Sequence, residues 1–244
     1  HGTHVAGIAI DGNPYARALG ARVTFDYRQV PAPPSIEQAK RAADNYMKTV
    51  KYFQDHGVRT VNMSWGWTFA EIEGMLEANG IGKDAQERRE MTREIFTIYK
   101  DDLHAALKSA PEILFVTAAG NEDSDVEFDQ VIPSSFELPN LLVVGAVDQA
   151  GEETSFTSFG QQVRLHANGF EVESVVPGGG RMQASGTSMA SPNVVNLIGK
   201  LLAIKPELSP TELISLIEQG IDKSADGRIL LINPRKSVEY LLKM

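Results

Sequence analysis

The chain has 244 residues, of which 42% are hydrophobic and 23% charged, a length and composition that suit one globular domain with a full core. Its formal net charge of −9 argues against a nucleic-acid-binding surface, which requires clustered lysine and arginine. The absence of cysteine excludes disulfides and thiolate chemistry, and no apolar run reaches the roughly 18 residues of a membrane span.

The first part of the chain alternates predicted helices and strands. Helices are predicted at residues 1–10 and 35–56, and strands at 21–30 and 58–64. Val5 and Ile8 lie on one apolar face of the first helix, and Ser35 with Gln38 forms a capping box at the start of the second. Gly57 ends that second helix.

Residues 67–110 form a long connection before the next strand. An amphipathic helix is predicted in its second half, because apolar residues recur along one stripe: Met91, Ile95, Ile98, Leu103 and Leu107. Residues 71–83 contain three glycines, and we interpret this segment as a mobile insertion.

The second half of the chain continues the alternation. Strands are predicted at 113–119, 141–147 and 227–233, a hairpin at 171–184, and helices at 189–204, from 209 onward and at 236–243. This order predicts an α/β fold with a doubly wound, mostly parallel sheet and helices on both faces. Such a fold places its site at the carboxyl ends of the strands. No repeat or linker is visible, so residues 1–244 are assigned to one domain.

The stretch GTSMASP, at residues 186–192, precedes a helix and offers a hydroxyl at its start. Ser188 is predicted at the helix N-terminus, where unpaired N–H groups and the helix dipole favour a developing negative charge. Pro192 is predicted in the first turn, where its missing N–H costs nothing. These features suit a nucleophile in a hydrolase. The alternative from these residues alone is the cap of an ordinary helix.

Two further motifs accompany that stretch: HGTHVAG at residues 1–7 and AAGN at residues 118–121. Together, and in this order, the three motifs resemble those of the subtilisin-like serine peptidases, the subtilases or peptidase family S8. The resemblance extends from His1 to about Asn233. It implies a subtilisin-like fold and hydrolysis of peptide bonds through an acyl-enzyme.

The resemblance also implies roles for individual residues. His1 is the expected general base, Ser188 the nucleophile, and Asn121 the side-chain donor to the oxyanion. The same family likeness assigns substrate binding to six further residues: Ser64, Trp65, Gly66, Ala118, Ala119 and Gly120. The first three are expected to pair with the substrate backbone by β-augmentation and to form a wall of the main specificity pocket.

Two features near the expected substrate-binding residues leave alternatives open. The aromatic cluster of Trp65, Trp67 and Phe69 either grips apolar substrate side chains or belongs to a lid or the core. The acidic residues 122–127 either favour basic groups at the pocket mouth or are simply solvated.

The subtilase triad also contains an Asp, carried by a strand that precedes the His motif. Asp26, Asp44 and Asp148 all follow His1 and do not match its position. We therefore expect the triad Asp upstream of this sequence, and a partial catalytic domain that lacks the Asp-bearing strand and is inactive alone. Without that strand, the strands at 23–27 and 58–64 are expected to lose ladder partners, and the fragment to aggregate or swap.

No cofactor is predicted. Zinc held by His1 and His4 lacks a third ligand at a usual spacing, so His4 is expected to be packed or capping. Calcium is possible by family resemblance, but the turn at residues 11–14 is short and no ligand set is identified.

The expected partners are polypeptide substrates and a pro-segment or upstream domain, with neither nucleic acid nor a membrane span in this chain. Secretion or a cell-envelope location is expected by resemblance only. The rival function is a non-catalytic subtilase-like binding module or an inactive fragment. An α/β-hydrolase is disfavoured because Ala190 stands where the nucleophile elbow needs its second glycine and because His1 precedes Ser188.

Overall fold

The computed structural model describes residues 1–22 and 32–244. The strand predicted at 21–30 lies almost entirely outside the described residues. Within the described part of the chain, no helix is both long and apolar enough to cross a membrane.

Seven helices and eight strands are present in the described ranges. The helices are α1 Gly2–Ile10, α2 Ile36–Asp55, α3 Phe69–Ala78, α4 Ala85–Lys108, α5 Thr187–Ile204, α6 Pro210–Gly220 and α7 Pro234–Leu241. The strands are β1 Thr60–Met63, β2 Leu114–Ala118, β3 Leu141–Val147, β4 Val163–Asn168, β5 Val172–Val175, β6 Arg181–Ala184, β7 Asp222–Lys223 and β8 Leu230–Leu231.

Six of these strands form one sheet in the order β1-β2-β3-β4-β8-β7. The pairs from β1 to β4 and on to β8 are parallel, and only β7 runs antiparallel to its neighbour. The remaining two strands form the predicted hairpin, β5 with β6. The mostly parallel α/β sheet expected from the sequence is confirmed.

Helices cover both faces of the sheet because residues of β2 alternate between two cores. Leu114 and Val116 join the cluster built with α5, α6 and α7. Phe115, between them, joins the cluster built with α2, α3 and α4. The largely apolar sequence of β2 follows from this burial on both sides.

The connection between β1 and β2 corrects one interpretation. Residues 71–78, interpreted as part of a mobile insertion, belong to α3, which begins with a capping box of Thr68 and Glu71. Ile72 and Leu76 are 1% and 0% exposed and pack in the core against α4. The glycines misled the interpretation because Gly80 and Gly82, both with positive φ, lie beyond the helix in the turn before α4.

Candidate active site

The nucleophile helix α5 begins as the motif predicts. Gly186, at its N-cap, has φ +149°, which glycine adopts without the steric cost of a Cβ. Ser188 is the second residue of the helix and is partly exposed. Its N–H therefore belongs to the first turn, whose donors have no intrahelical acceptor.

Pro192 lies deeper in this helix than predicted. It is the sixth residue of α5 rather than a first-turn residue, so its missing N–H removes a helix hydrogen bond. The acceptor left without that donor is the carbonyl of Ser188, four residues earlier. The Ser64 hydroxyl, just after β1, donates to this carbonyl at 2.8 Å.

A short polar network holds Ser64 in that position. The Asn62 side-chain Nδ2 donates to Ser64 Oγ at 2.8 Å, and Ser191 Oγ lies 3.0 Å from the same atom. The hydroxyl of Ser64 is thus committed to the first turn of α5. The predicted pairing of Ser64, Trp65 and Gly66 with substrate is therefore assigned to their backbone groups.

Asn121 follows β2 and reaches the start of α5. Its side-chain oxygen accepts hydrogen bonds from the Thr187 N–H at 2.8 Å and from Thr187 Oγ1 at 3.0 Å. Asn121 thereby caps α5, whose own N-cap residue, Gly186, has no side chain to do so. Within the described residues, Asn121 Nδ2 has no hydrogen-bond partner. An oriented amide donor therefore lies beside the unpaired N–H of Ser188.

Helix α1 brings His1 to the same end of the molecule. Val5 and Ile8 of α1 cluster with Met189 at the start of α5. Asn196, two turns further along α5, donates to carbonyls at the end of α1, including that of Asp11. The two helices therefore run side by side in the same direction. His1 lies at the N-terminus of α1, exposed, and its ring has no hydrogen bond to any described residue.

The β5–β6 hairpin holds the other side of α1. The ring of His4 donates through Nε2 to the Met182 carbonyl at 2.9 Å, and Ser174 Oγ donates to the His4 carbonyl at 2.8 Å. Gly7 is required here because a Cβ would lie 2.4 Å from Ser174 Oγ. His4 is 2% exposed, so the expectation that it is packed is confirmed.

The aromatic cluster of Trp65, Trp67 and Phe69 is split: two of its members lie in the core and one is exposed. Trp65 is partly buried and stacks on Tyr46, with ring centroids 6.3 Å apart. Burial of Tyr46 raises the pKa of its phenol. Phe69 packs edge-on against Phe96 in the same core. Trp67 remains 39% exposed and is the aromatic of this cluster available to a bound ligand.

The backbone of the AAGN segment forms hydrogen bonds with other residues of the protein. Ala119 is fully buried, and its N–H donates to the Val144 carbonyl at 3.0 Å. Ala118 is 8% exposed, and its carbonyl accepts from Ser134 Oγ at 2.7 Å. The Gly120 N–H donates to Thr187 Oγ1 at 3.2 Å. These contacts fix the backbone that carries Asn121.

Two other residues near the AAGN segment bear on the sequence predictions. The peptide bond from Ile132 to Pro133 is cis. Glu122 Oε2 accepts a hydrogen bond from the Asn121 backbone N–H at 2.6 Å. At least this carboxylate of the acidic run therefore has a structural role beside the candidate oxyanion site.

Sequence reasoning missed three polar residues around the site: Asn62, Thr187 and Asn196. The signal for Asn62 was available, because residues two apart on a strand share a face and Asn62 precedes Ser64 by two. The contacts of Thr187 and Asn196 join segments far apart in the chain, which no local pattern reveals. No group of three or more His, Asp or Glu side chains within residues 1–22 and 32–244 is arranged to hold a metal ion. The absence of a cofactor stays a prediction.

The parallel sheet, the helix that begins at Thr187 and the asparagine that follows β2 define a subtilisin-like α/β fold. The sequence profile of the subtilase family, peptidase S8, matches residues 1–232. The chain belongs to the subtilase family, as its three motifs predict.

Individual relatives agree with this assignment. The chain is 30% identical over 231 residues to the thermophilic serine proteinase of Bacillus sp. (strain AK1), covering 91% of this chain and 47% of that protein. It is 28% identical over 207 residues to the subtilisin of Bacillus pumilus, covering 84% of this chain and 64% of that protein. This chain thus spans less than two thirds of either relative.

Solved structures support the fold. A lanthipeptide protease superimposes with a TM-score of 0.72 at 15% identity, covering 99% of this chain and 75% of that one. The self-cleaved protease domain of PatA gives 0.65 at 24% identity, covering 100% and 83% respectively. At these identities the likeness concerns architecture alone.

Proposed function

We propose that the full-length protein is a serine endopeptidase that hydrolyses peptide bonds through an acyl-enzyme. Ser188 attacks the substrate carbonyl, and His1 accepts its proton and later returns it to the leaving amine. The triad Asp is proposed to lie upstream of His1, where it would fix the imidazole tautomer and stabilise the imidazolium.

One observation carries this proposal: the orientation of the Asn121 amide. Thr187 occupies the side-chain oxygen with two hydrogen bonds, and the NH2 group beside the start of α5 has no partner among residues 1–22 and 32–244. The Ser188 N–H supplies a second donor. Two donors fixed near the start of α5 would stabilise a developing oxyanion more than the neutral carbonyl, which is the requirement for catalysis.

Substrate is proposed to be polypeptide that extends along the chain after β1. The backbone groups of Ser64, Trp65 and Gly66, which directly follow β1, are proposed to pair with the peptide through main-chain hydrogen bonds. Trp67 is the exposed aromatic beside this segment. Export from the cell stays a prediction from family resemblance.

The test is active-site labelling of the full-length protein with a fluorophosphonate probe. The wild type is expected to be labelled at Ser188, and Ser188→Ala is expected to abolish labelling. Ser185→Ala is the matched control, because Ser185 is an exposed serine three residues away. Labelling that persists in Ser188→Ala, or no labelling of a folded wild type, would contradict the proposal.

A further inference from the structure

We propose that Asn196 is a positioning residue for His1, acting by fixing where α1 sits along α5. This inference rests on the proposed function, in which His1 is the base. The Asn196 Nδ2 amide lies within hydrogen-bond distance of three carbonyl oxygens at the end of α1: Ile8 at 3.1 Å, Ala9 at 3.3 Å and Asp11 at 2.8 Å.

Helix α1 needs such an anchor because it is short. It has nine residues, and isolated helices of that length are marginal in water. The last carbonyls of a helix have no intrahelical donor, and here a side chain from another helix supplies one. Asn196 therefore satisfies polar groups of α1 and joins them to the helix that carries Ser188.

The contact sets the register between the two helices. Met189 packs against Val5 and Ile8, and Asn196 binds the carbonyls that follow. The Asn13 amide nitrogen lies 3.3 Å from the point that a Cβ on Gly199 would occupy. Successive positions along α1 and the turn after it therefore contact successive positions along α5. A slip of one residue moves His1 by about 1.5 Å along the axis.

The apolar contacts alone do not fix that register as sharply. Val5, Ile8 and Met189 form a small cluster, and apolar packing is non-directional. The hairpin contacts at His4 hold the first turn from the opposite side. Among the described residues, Asn196 supplies the hydrogen bonds that join the end of α1 to the nucleophile helix. A displacement of about 1 Å can cost on the order of 100-fold in rate, so the register bears on catalysis.

The experiment compares Asn196→Ala and Asn196→Asp with wild type in the full-length protein. The Asp variant is nearly isosteric but turns a carboxylate oxygen toward the three carbonyls. The matched control is Asn140→Ala. Asn140 Nδ2 also contacts three carbonyls, those of Leu107, Ala110 and Ile113, at 3.1, 2.9 and 3.2 Å. It lies directly before β3, away from the contact of α1 with α5.

Three readouts are measured: kcat and KM on a chromogenic peptide, thermal unfolding, and hydrogen exchange of the α1 amides. Both Asn196 variants are expected to lower kcat about 10- to 100-fold with KM little changed, and to accelerate exchange in α1 but not in β3. Asn140→Ala is expected to lower the unfolding temperature and to leave kcat per folded molecule unchanged.

The outcomes separate this inference from the proposed function. A folded wild type that neither hydrolyses peptide nor reacts with the probe refutes the function. Hydrogen exchange then still tests whether Asn196 docks α1. Wild-type kcat in Asn196→Ala overturns the positioning role, as does unchanged α1 exchange in both Asn196 variants. Loss of kcat in Asn140→Ala equal to that in Asn196→Ala would also overturn it, since a general loss of packing would then explain both.

Discussion

Asn140 and Asn121 carry the same side chain at opposite ends of the sheet. Asn140 precedes β3 and is 3% exposed, with its amide nitrogen contacting three carbonyls. Asn121 follows β2 and is exposed, and the described part of the chain binds its side chain through the amide oxygen alone, by way of Thr187. One asparagine has its donors saturated by the protein. The other is oriented by the protein and keeps its donors open.

This difference separates a structural amide from a candidate functional one. A saturated amide contributes by satisfying buried carbonyls that would otherwise lack partners. An amide that is fixed through one atom but open at the other has its orientation set in advance and can act on a bound group. The comparison therefore predicts different consequences when each asparagine is removed.

The largest expected effect is on turnover at Asn121. Asn121→Ala removes the free NH2 and is expected to lower kcat by about 10²–10³-fold with KM little changed, a magnitude that subtilisin itself supplies. Steady-state kinetics on a chromogenic peptide measures both constants. If the loss appears only in KM, Asn121 binds substrate in the ground state instead.

Asn140→Ala is expected to act on stability. Its removal leaves the carbonyls of Leu107, Ala110 and Ile113 without that donor in a buried region, a loss of about 2–4 kcal/mol in the free energy of unfolding. Urea unfolding followed by circular dichroism measures it. A stability equal to wild type would show that water or a local shift replaces the amide.

The same contrast holds between two histidines. His1 is exposed, whereas His166 in β4 is 4% exposed and accepts the Leu230 N–H at Nδ1, at 3.2 Å. Burial, together with the nearby Arg228 charge, lowers the pKa of His166 from 6.5 to about 4. The native protein therefore keeps this ring neutral at pH values where the unfolded chain protonates it.

Stability is expected to fall as the pH drops from about 6.5 toward 4. There the unfolded state binds one more proton than the native state through His166, and the loss reaches at most about 3 kcal/mol. Above pH 7 this contribution is constant. Denaturant midpoints across this range should show a shallower decline for His166→Asn than for wild type. His56→Asn, at the exposed end of α2, is the control and should retain the wild-type slope.

A structural feature can be predicted from the sequence when the residues that determine it lie close together in the chain. The start of α6, predicted at residue 209, follows from Ser209 and Glu212, which form a capping box, and the hairpin follows from the glycines at its tip. The stripe on α4 likewise places Ile95 and Leu103 in the core. Each of these depends on residues close together in the chain.

The site was harder to predict because its supports come from distant segments. The motifs identify Ser188 and Asn121, but Thr187 joins them only once β2 and α5 meet. The role of α3 was missed for a similar reason: Ile72 and Leu76 are buried by α4 and neighbouring core residues rather than by their own segment. Long-range burial cannot be read from a window of sequence.

The smallest expected effect concerns the Ser188 carbonyl, which accepts from Ser64 because Pro192 has no N–H to donate. Pro192 cannot donate to the Ser188 carbonyl, and the Ser64 hydroxyl does so instead. Ser64→Ala should therefore leave that carbonyl unpaired, loosen the first turn of α5 and lower kcat about 10-fold, or about 1.4 kcal/mol.

Pro192→Ala restores a backbone N–H four residues after Ser188, which can replace the lost donor. In a double-mutant cycle, the fall in kcat caused by Ser64→Ala should be several-fold smaller in the Pro192→Ala background than in wild type. Thr60→Val is the control, because Thr60 lies in β1 and its Oγ1 donates to the Leu114 carbonyl of β2 at 2.9 Å rather than to α5. Equal losses in both backgrounds would mean that Ser64 acts through another contact, with Asn62 or Ser191 the first to test.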